Sequence, residues 1–370
     1  MTRTMRLVPL ISGFLLVLTV GCFAPSGPTE GGPSLRPARV VKRPHAGIFG
    51  MVGPRTPLER GLEAYDRAFA ACPELRGVLV LVEWATVQPH PCRPPDWSIV
   101  DAYVELARRH DRQVALCVAS TRPPAWIFGN GRVKRFAIID PNPLHPEHGQ
   151  PRDVGVPVDD GFLPLWGRLV AAAGERYDPN PTVTAVVAMG VNFYGPETKL
   201  IFPTGAEQAQ AAELDLSHEN VLAWWKRYLA LYAECWPNTT IKLHGAKMGP
   251  ELPRTLDELV EWAAETYPGR FAIQCNKLNG RDDNEHLAEY RLVSRYAGRI
   301  QTGFQAVSSV RNTRRMGAVV QMIANLVRAR ARYLELWFGD ATDVATIERV
   351  AELWNGEKAR SEKGIRRLRR

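Results

Sequence analysis

The chain has 370 residues, 45% of them hydrophobic and 23% charged, with a formal net charge of +8. That apolar fraction excludes general disorder, and the length fits one large α/β barrel or two to three smaller domains. The basic balance invites nucleic acid, but the charge sits at the ends: seven Lys/Arg against two Glu in residues 357–370, Arg3 and Arg6 in residues 1–21, and four Lys/Arg against Glu30 in residues 22–44. Residues 45–356 therefore carry −2, and no nucleic-acid partner is expected.

Arg3 and Arg6 precede the short apolar run LVPLISGFLLVLTV, which ends at Gly21-Cys22. A positive start, a short apolar stretch and a small residue before the cut predict an export signal over residues 1–21. LTVGC resembles a bacterial lipobox, which implies lipidation of Cys22, with Thr19 standing where Leu is usual. Ordinary secretion and a retained anchor are the alternatives. Residues 22–44 are rich in Pro and Gly and read as a flexible tether.

From residue 45 short apolar runs alternate with longer amphipathic ones. Strands are predicted at His45–Val52, Gly77–Glu83, Gln113–Ala119, Thr182–Met189, Thr239–His244, Phe271–Cys275, Ile300–Gln305 and Arg332–Trp337. Helices are predicted near 58–72, 98–110, 163–177, 218–235, 255–267, 283–297, 313–330 and 343–356. Runs such as GVLVLV and VTAVVA are apolar on both faces, as helix-covered parallel strands are. Eight βα units over residues 45–356 match a single (β/α)8 TIM barrel. A doubly wound open sheet is the alternative, but the first turn, GIFGMVG, lacks the GxGxxG spacing of such folds. The basic segment 357–370 is expected to be a tail, solvated or touching an anionic membrane surface.

Active sites of these barrels lie at the C-terminal ends of the strands. Those ends deliver Glu83 and Trp84, Arg122 and Trp126, Asn192, Tyr194 and Glu197, His244 with Lys247, Gln274, Asn276 and Lys277, Gln305, and Glu335 with Trp337. Indole faces stack on sugar rings and amides bind hydroxyls, so this rim predicts a carbohydrate substrate. Glu83 paired with Arg122, and Glu335 in a buried ion pair, are the structural alternatives for those acids. Apart from Cys22, the cysteines Cys72, Cys92, Cys117, Cys235 and Cys275 are odd in number and lack CxxC spacing, so buried thiols are expected rather than a disulfide framework. No HExxH, GxSxG or P-loop pattern occurs. Prolines interrupt the LHPEHG segment with His145, Glu147 and His148, so neither metal nor other cofactor is predicted. The long loop 127–162 has the length of a functional lid.

Within residues 77–197 stand EWATVQPHPCRPPDWSIVDAYVELARRHDRQVALCVASTRPPAWIF, with its strand-end tryptophan and PPAW turn, and LVAAAGERYDPNPTVTAVVAMGVN. By these segments the chain resembles clan A glycoside hydrolases, most closely the bacterial family 42 β-galactosidases. The resemblance implies a TIM barrel that hydrolyses glycosidic bonds through two carboxylates. In that clan strand four ends in Asn-Glu and strand seven in a Glu; here Asn192 is followed by Phe193, and strand seven ends at Gln305. The residues still offer Glu197 as acid/base and Glu335 as nucleophile or base. Glu83, Trp84, Arg122, Trp126, Asn192, Tyr194, His244, Asn276, Gln305 and Trp337 are the expected substrate contacts. Gln305 cannot form a glycosyl ester, which keeps open a silent barrel that binds carbohydrate or serves as a cell-envelope interaction protein. No protein partner is otherwise expected.

Overall fold

The structure, a computed structural model, describes residues 40–129, 131–140, 148–249, 252, 254–282 and 284–368. The signal segment, Cys22, the tether up to residue 39, His145 and Glu147 lie outside these residues.

Among the described residues ten strands follow in chain order: β1 (Gly47–Val52), β2 (Leu75–Glu83), β3 (Gln113–Ala119), β4 (Arg135–Ile139), β5 (Pro151–Gly155), β6 (Val183–Val187), β7 (Thr240–Gly245), β8 (Phe271–Leu278), β9 (Gln301–Ala306) and β10 (Tyr333–Leu336). All but β4 and β5 form one closed parallel barrel, in which β1 pairs with both β2 and β10. Closure removes the open-sheet alternative. The eight barrel strands fall where the apolar runs placed them, because every residue of β3, β6, β7 and β10 is buried by helices outside and packing inside.

The outer helices bury one stripe each. Leu58–Ala71 buries Gly61, Tyr65, Ala68 and Phe69, and His218–Cys235 buries Val221, Trp225, Tyr228, Leu229 and Tyr232 behind a Ser217 cap. The helix expected over 313–330 is two, Thr313–Met316 and Val319–Arg328. The last helix runs Val344–Leu368, so most of the basic segment continues that helix. No helix among the described residues is long and apolar enough to cross a membrane.

Contacts begin before the expected barrel start. Val40 N–H donates to Asn238, and the Lys42 ammonium donates to the Val183 carbonyl at 2.6 Å and to Thr239. Burial pulls the Lys42 pKa down to about 8.

Loop 127–162 holds the antiparallel pair β4–β5, in register from Arg135↔Gly155 to Ile139↔Pro151. Phe136 and Ile138 are buried while Arg135 ion-pairs with Asp153 at 2.8 Å. The segment expected as a long loop of lid length therefore contains a half-buried hairpin.

Strand side chains alternate between faces, and the inward set on β7 to β10 is polar. Lys242, His244, Gln274, Gln305 and Glu335 are all buried. A Cβ on Gly303 would meet the Tyr333 ring at 2.3 Å, so glycine there makes room for Tyr333 inside the barrel.

Candidate active site

Glu335 on β10 stands beside Gln305 on β9 in the strand register. Its carboxylate accepts one hydrogen bond from the Lys242 ammonium and another, at 2.8 Å, from Gln274 Nε2. Lys242 and Glu335 both have 0% side-chain exposure. The Lys242 charge, together with desolvation, holds His45 and His244 well below the ordinary histidine pKa of 6.5, with desolvation the larger cause.

An amide relay leads from Glu335 to the second acid. Gln274 Nε2 also donates to Asn276 Oδ1 at 2.8 Å, and Asn276 Nδ2 lies 3.4 Å from His244 Nδ1. Asn276 in turn lies near enough to the Glu197 carboxyl group to favour its charged form slightly, against the larger effect of burial. The chain after β6 returns to lie against β7, with Glu197 bridged to His244 and Thr198 N–H donating to the His244 carbonyl at 3.0 Å. Asn192 clasps this turn: its Oδ1 accepts from Gly190 N–H and its Nδ2 donates to the Glu197 carbonyl, both at 2.6 Å. Burial raises the Glu197 pKa above the usual 4.5, against the opposing fields of Lys199 and Lys277. His244 Nε2 and Gln274 Oε1 are buried and make no hydrogen bond to any described residue.

The remaining expected contacts divide between mouth and core. Trp337 is 41% exposed at the end of β10, with its indole N–H donating to the Ala306 carbonyl at 2.8 Å. Trp126 is half-buried and donates to the Gln88 carbonyl at 3.0 Å. Glu83 and Arg122 approach to 3.7 Å, the pairing weighed for them. Trp84 has no exposed face: it packs edge-on to Trp126, Phe162 and Trp166. Tyr194 donates to Glu207, which also accepts from Ile139 N–H at 2.9 Å and caps its own helix Gly205–Ala212 with Thr204. Tyr194 thereby ties the loop to the hairpin.

Phe193 explains one departure from the family pattern. It is fully buried, with ring centroids 4.7 Å from Phe136 and 5.3 Å from Phe202. A carboxylate at 193 would be stranded in an aromatic cluster beneath the hairpin.

Sequence reading passed over Lys242 and Glu207. The signal for Lys242 was the alternation Thr-Ile-Lys-Leu-His, which puts Lys242 on the same face as His244. Glu207 was marked by the capping-box spacing from Thr204. Among the described residues no His, Cys, Asp or Glu cluster has the arrangement of a metal site.

The fold is shared with solved structures. The catalytic domain of a β-amylase from Paenibacillus polymyxa aligns with TM-score 0.51 at 10% identity, covering 80% of this chain and 93% of that one. A β-galactosidase from the psychrophilic Marinomonas ef1 aligns with TM-score 0.53 at 13% identity, covering 86% of this chain and 60% of that one. This chain thus spans about three fifths of the β-galactosidase. No family model matches the sequence, and no curated protein matches it. At these identities the likeness is one of fold, the closed parallel (β/α)8 barrel.

Proposed function

We propose that the protein hydrolyses glycosidic bonds in oligo- or polysaccharides, with Glu197 as proton donor and Glu335 as the partner carboxylate. The observation that carries this reading is the environment of Glu197: a half-buried carboxyl at the C-terminal mouth whose burial favours the protonated form. Glu335 faces the Lys242 ammonium inside the barrel, on the strand next to Gln305. The exposed Trp337 and half-buried Trp126 offer ring faces for sugars, and Asn276 and Gln305 offer amides for hydroxyls.

A panel of aryl glycosides and oligosaccharides tests this. Purified protein releases dye from at least one of them, and Glu197→Gln abolishes the release. Turnover that survives both Glu197→Gln and Glu335→Gln sinks the assignment. A second reading, a barrel that binds carbohydrate without cleaving it, is favoured by the complete burial of Glu335, both of whose oxygens are already engaged. Sugar binding without turnover in the unaltered protein selects that reading.

Export and lipid anchoring through Cys22 complete the proposal, supported by the LTVGC sequence alone. Cys22→Ser then moves the protein from the membrane fraction to the soluble one.

A further inference from the structure

An open cavity of about 320 Å³ lies at the C-terminal ends of β7 and β8. Lys199, Ile201, Ala246, Lys247, Gly249 and Lys277 line it, so among the described residues half of the wall is cationic and none of it is acidic. Glu289, a buried acid, holds the cavity's inner edge. It takes the Lys277 ammonium at 2.6 Å and the Lys247 backbone N–H at 2.9 Å. One positive charge is thereby matched, and the backbone carrying another is fixed in place. Among the described residues Lys199 and Lys247 have no acidic partner at ion-pair distance.

The cavity is built rather than incidental. The Thr198 hydroxyl donates to the Ala246 carbonyl at 2.7 Å and accepts from the Ala246 N–H at 2.9 Å, which locks the two lysine-bearing loops together. Gly249 sits at φ +101°, and a Cβ there would meet the Leu200 carbonyl at 2.9 Å, so a side chain would push the walls apart. Ile201, 42% exposed, gives the rim one apolar edge. Glu197 precedes Thr198 and feels the charges of Lys199 and Lys277 before those of any other cation. The cavity therefore adjoins the candidate acid.

We propose that this cavity binds the anionic substituent, a carboxylate or a sulfate ester, of an acidic oligosaccharide whose chain runs past Glu197. The inference rests on the carbohydrate reading above and narrows it to anionic glycans. Two ammonium groups with no acidic partner at ion-pair distance among the described residues, held by loops locked to each other, suit a compact anion as point charges and three-way donors. Neutral sugars gain nothing from them, because an ammonium exchanging water for a hydroxyl is close to even.

Calorimetric titration of the full protein at low ionic strength tests the inference with three ligands of similar length: an oligouronate, a sulfated oligosaccharide and a neutral oligosaccharide. At least one acidic ligand binds about tenfold or more tightly than the neutral one. In Lys199→Met/Lys247→Met that ratio falls to about two or less, whereas Lys199→Arg/Lys247→Arg keeps it; circular dichroism verifies that both variants fold. Preference for uronate or for sulfate identifies the source of the anion. Equal affinity for all three ligands overturns the anion site even where neutral glycans are cleaved. Acidic preference without turnover keeps the anion site and removes the hydrolase reading. Absence of binding to all three overturns both.

Discussion

Lys242 and Glu335 meet inside the barrel, joined by an ion pair in which neither side chain touches solvent. Desolvating two charges costs several kcal/mol each, and their attraction returns this only while both remain. Removing one leaves the other buried without its counter-ion. Lys242→Met alone is expected to cost about 3–5 kcal/mol, measured by urea denaturation. The double variant Lys242→Met/Glu335→Leu recovers most of that loss, since an apolar pair of similar volume is often neutral. A double variant no more stable than the single one would show that Gln274 and Asn276 depend on the charges too.

Glu197 makes a prediction of opposite sign from an ordinary surface acid. Its folded-state pKa is raised by burial above 4.5. The folded protein therefore holds a proton that the unfolded chain has released. Stability from this group is full below pH 4.5 and is lost as pH rises through the folded pKa. Glu197→Gln removes the titration. The variant gains stability relative to the parent at neutral pH, and the gain vanishes below pH 4.5. Activity, if Glu197 donates the proton, declines on the basic side of the same raised pKa. Equal urea midpoints for parent and variant from pH 4 to 8 would contradict the burial argument.

The buried histidines act the other way. His45 and His244 are held well below 6.5, first by desolvation and then by Lys242. The unfolded chain takes up protons near pH 6.5 while the folded one does not. Stability is full above 6.5 and falls as pH drops towards the depressed folded values. Each histidine contributes a slope of up to about 1.4 kcal/mol per pH unit. His45→Gln/His244→Gln flattens the stability profile between pH 6.5 and 5, whatever it does to the absolute value.

These side chains also mark how far the sequence could be read. The barrel strands were legible because burial on both faces demands unbroken apolar runs such as VALCVA in β3. The polar interior was legible only in part. Gln274, Asn276 and Glu335 stood out at strand ends, whereas Lys242 lies one alternation deeper, where a lysine is not expected without a partner. Its partner is 93 residues away, and no local pattern reports a pair so distant. Trp84 shows the converse. A strand-end tryptophan reads as a sugar platform, but Phe162 and Trp166 come from the far side of the hairpin loop and cover it. The hairpin itself was obscured because PRDVG in β5 has neither β-branched repetition nor clean alternation.

Trp337 and Trp84 offer a paired test of mouth against core. Trp84 is fully buried among three aromatic rings. Trp84→Ala removes a large core side chain and is expected to cost about 3–5 kcal/mol of stability. Trp337 is anchored mainly by its indole N–H on the Ala306 carbonyl, and 41% of it is exposed. Trp337→Ala is expected to cost only about 1–2 kcal/mol of stability. Its larger effect is on ligand affinity. Loss of a ring-stacking face is worth about 0.5–1.5 kcal/mol, roughly a two- to thirteenfold weakening of oligosaccharide binding. Trp337→Phe keeps a ring face but loses the N–H anchor, so it falls between parent and alanine variant. Unchanged titration curves in Trp337→Ala would place the sugar elsewhere on the barrel mouth, nearer Trp126.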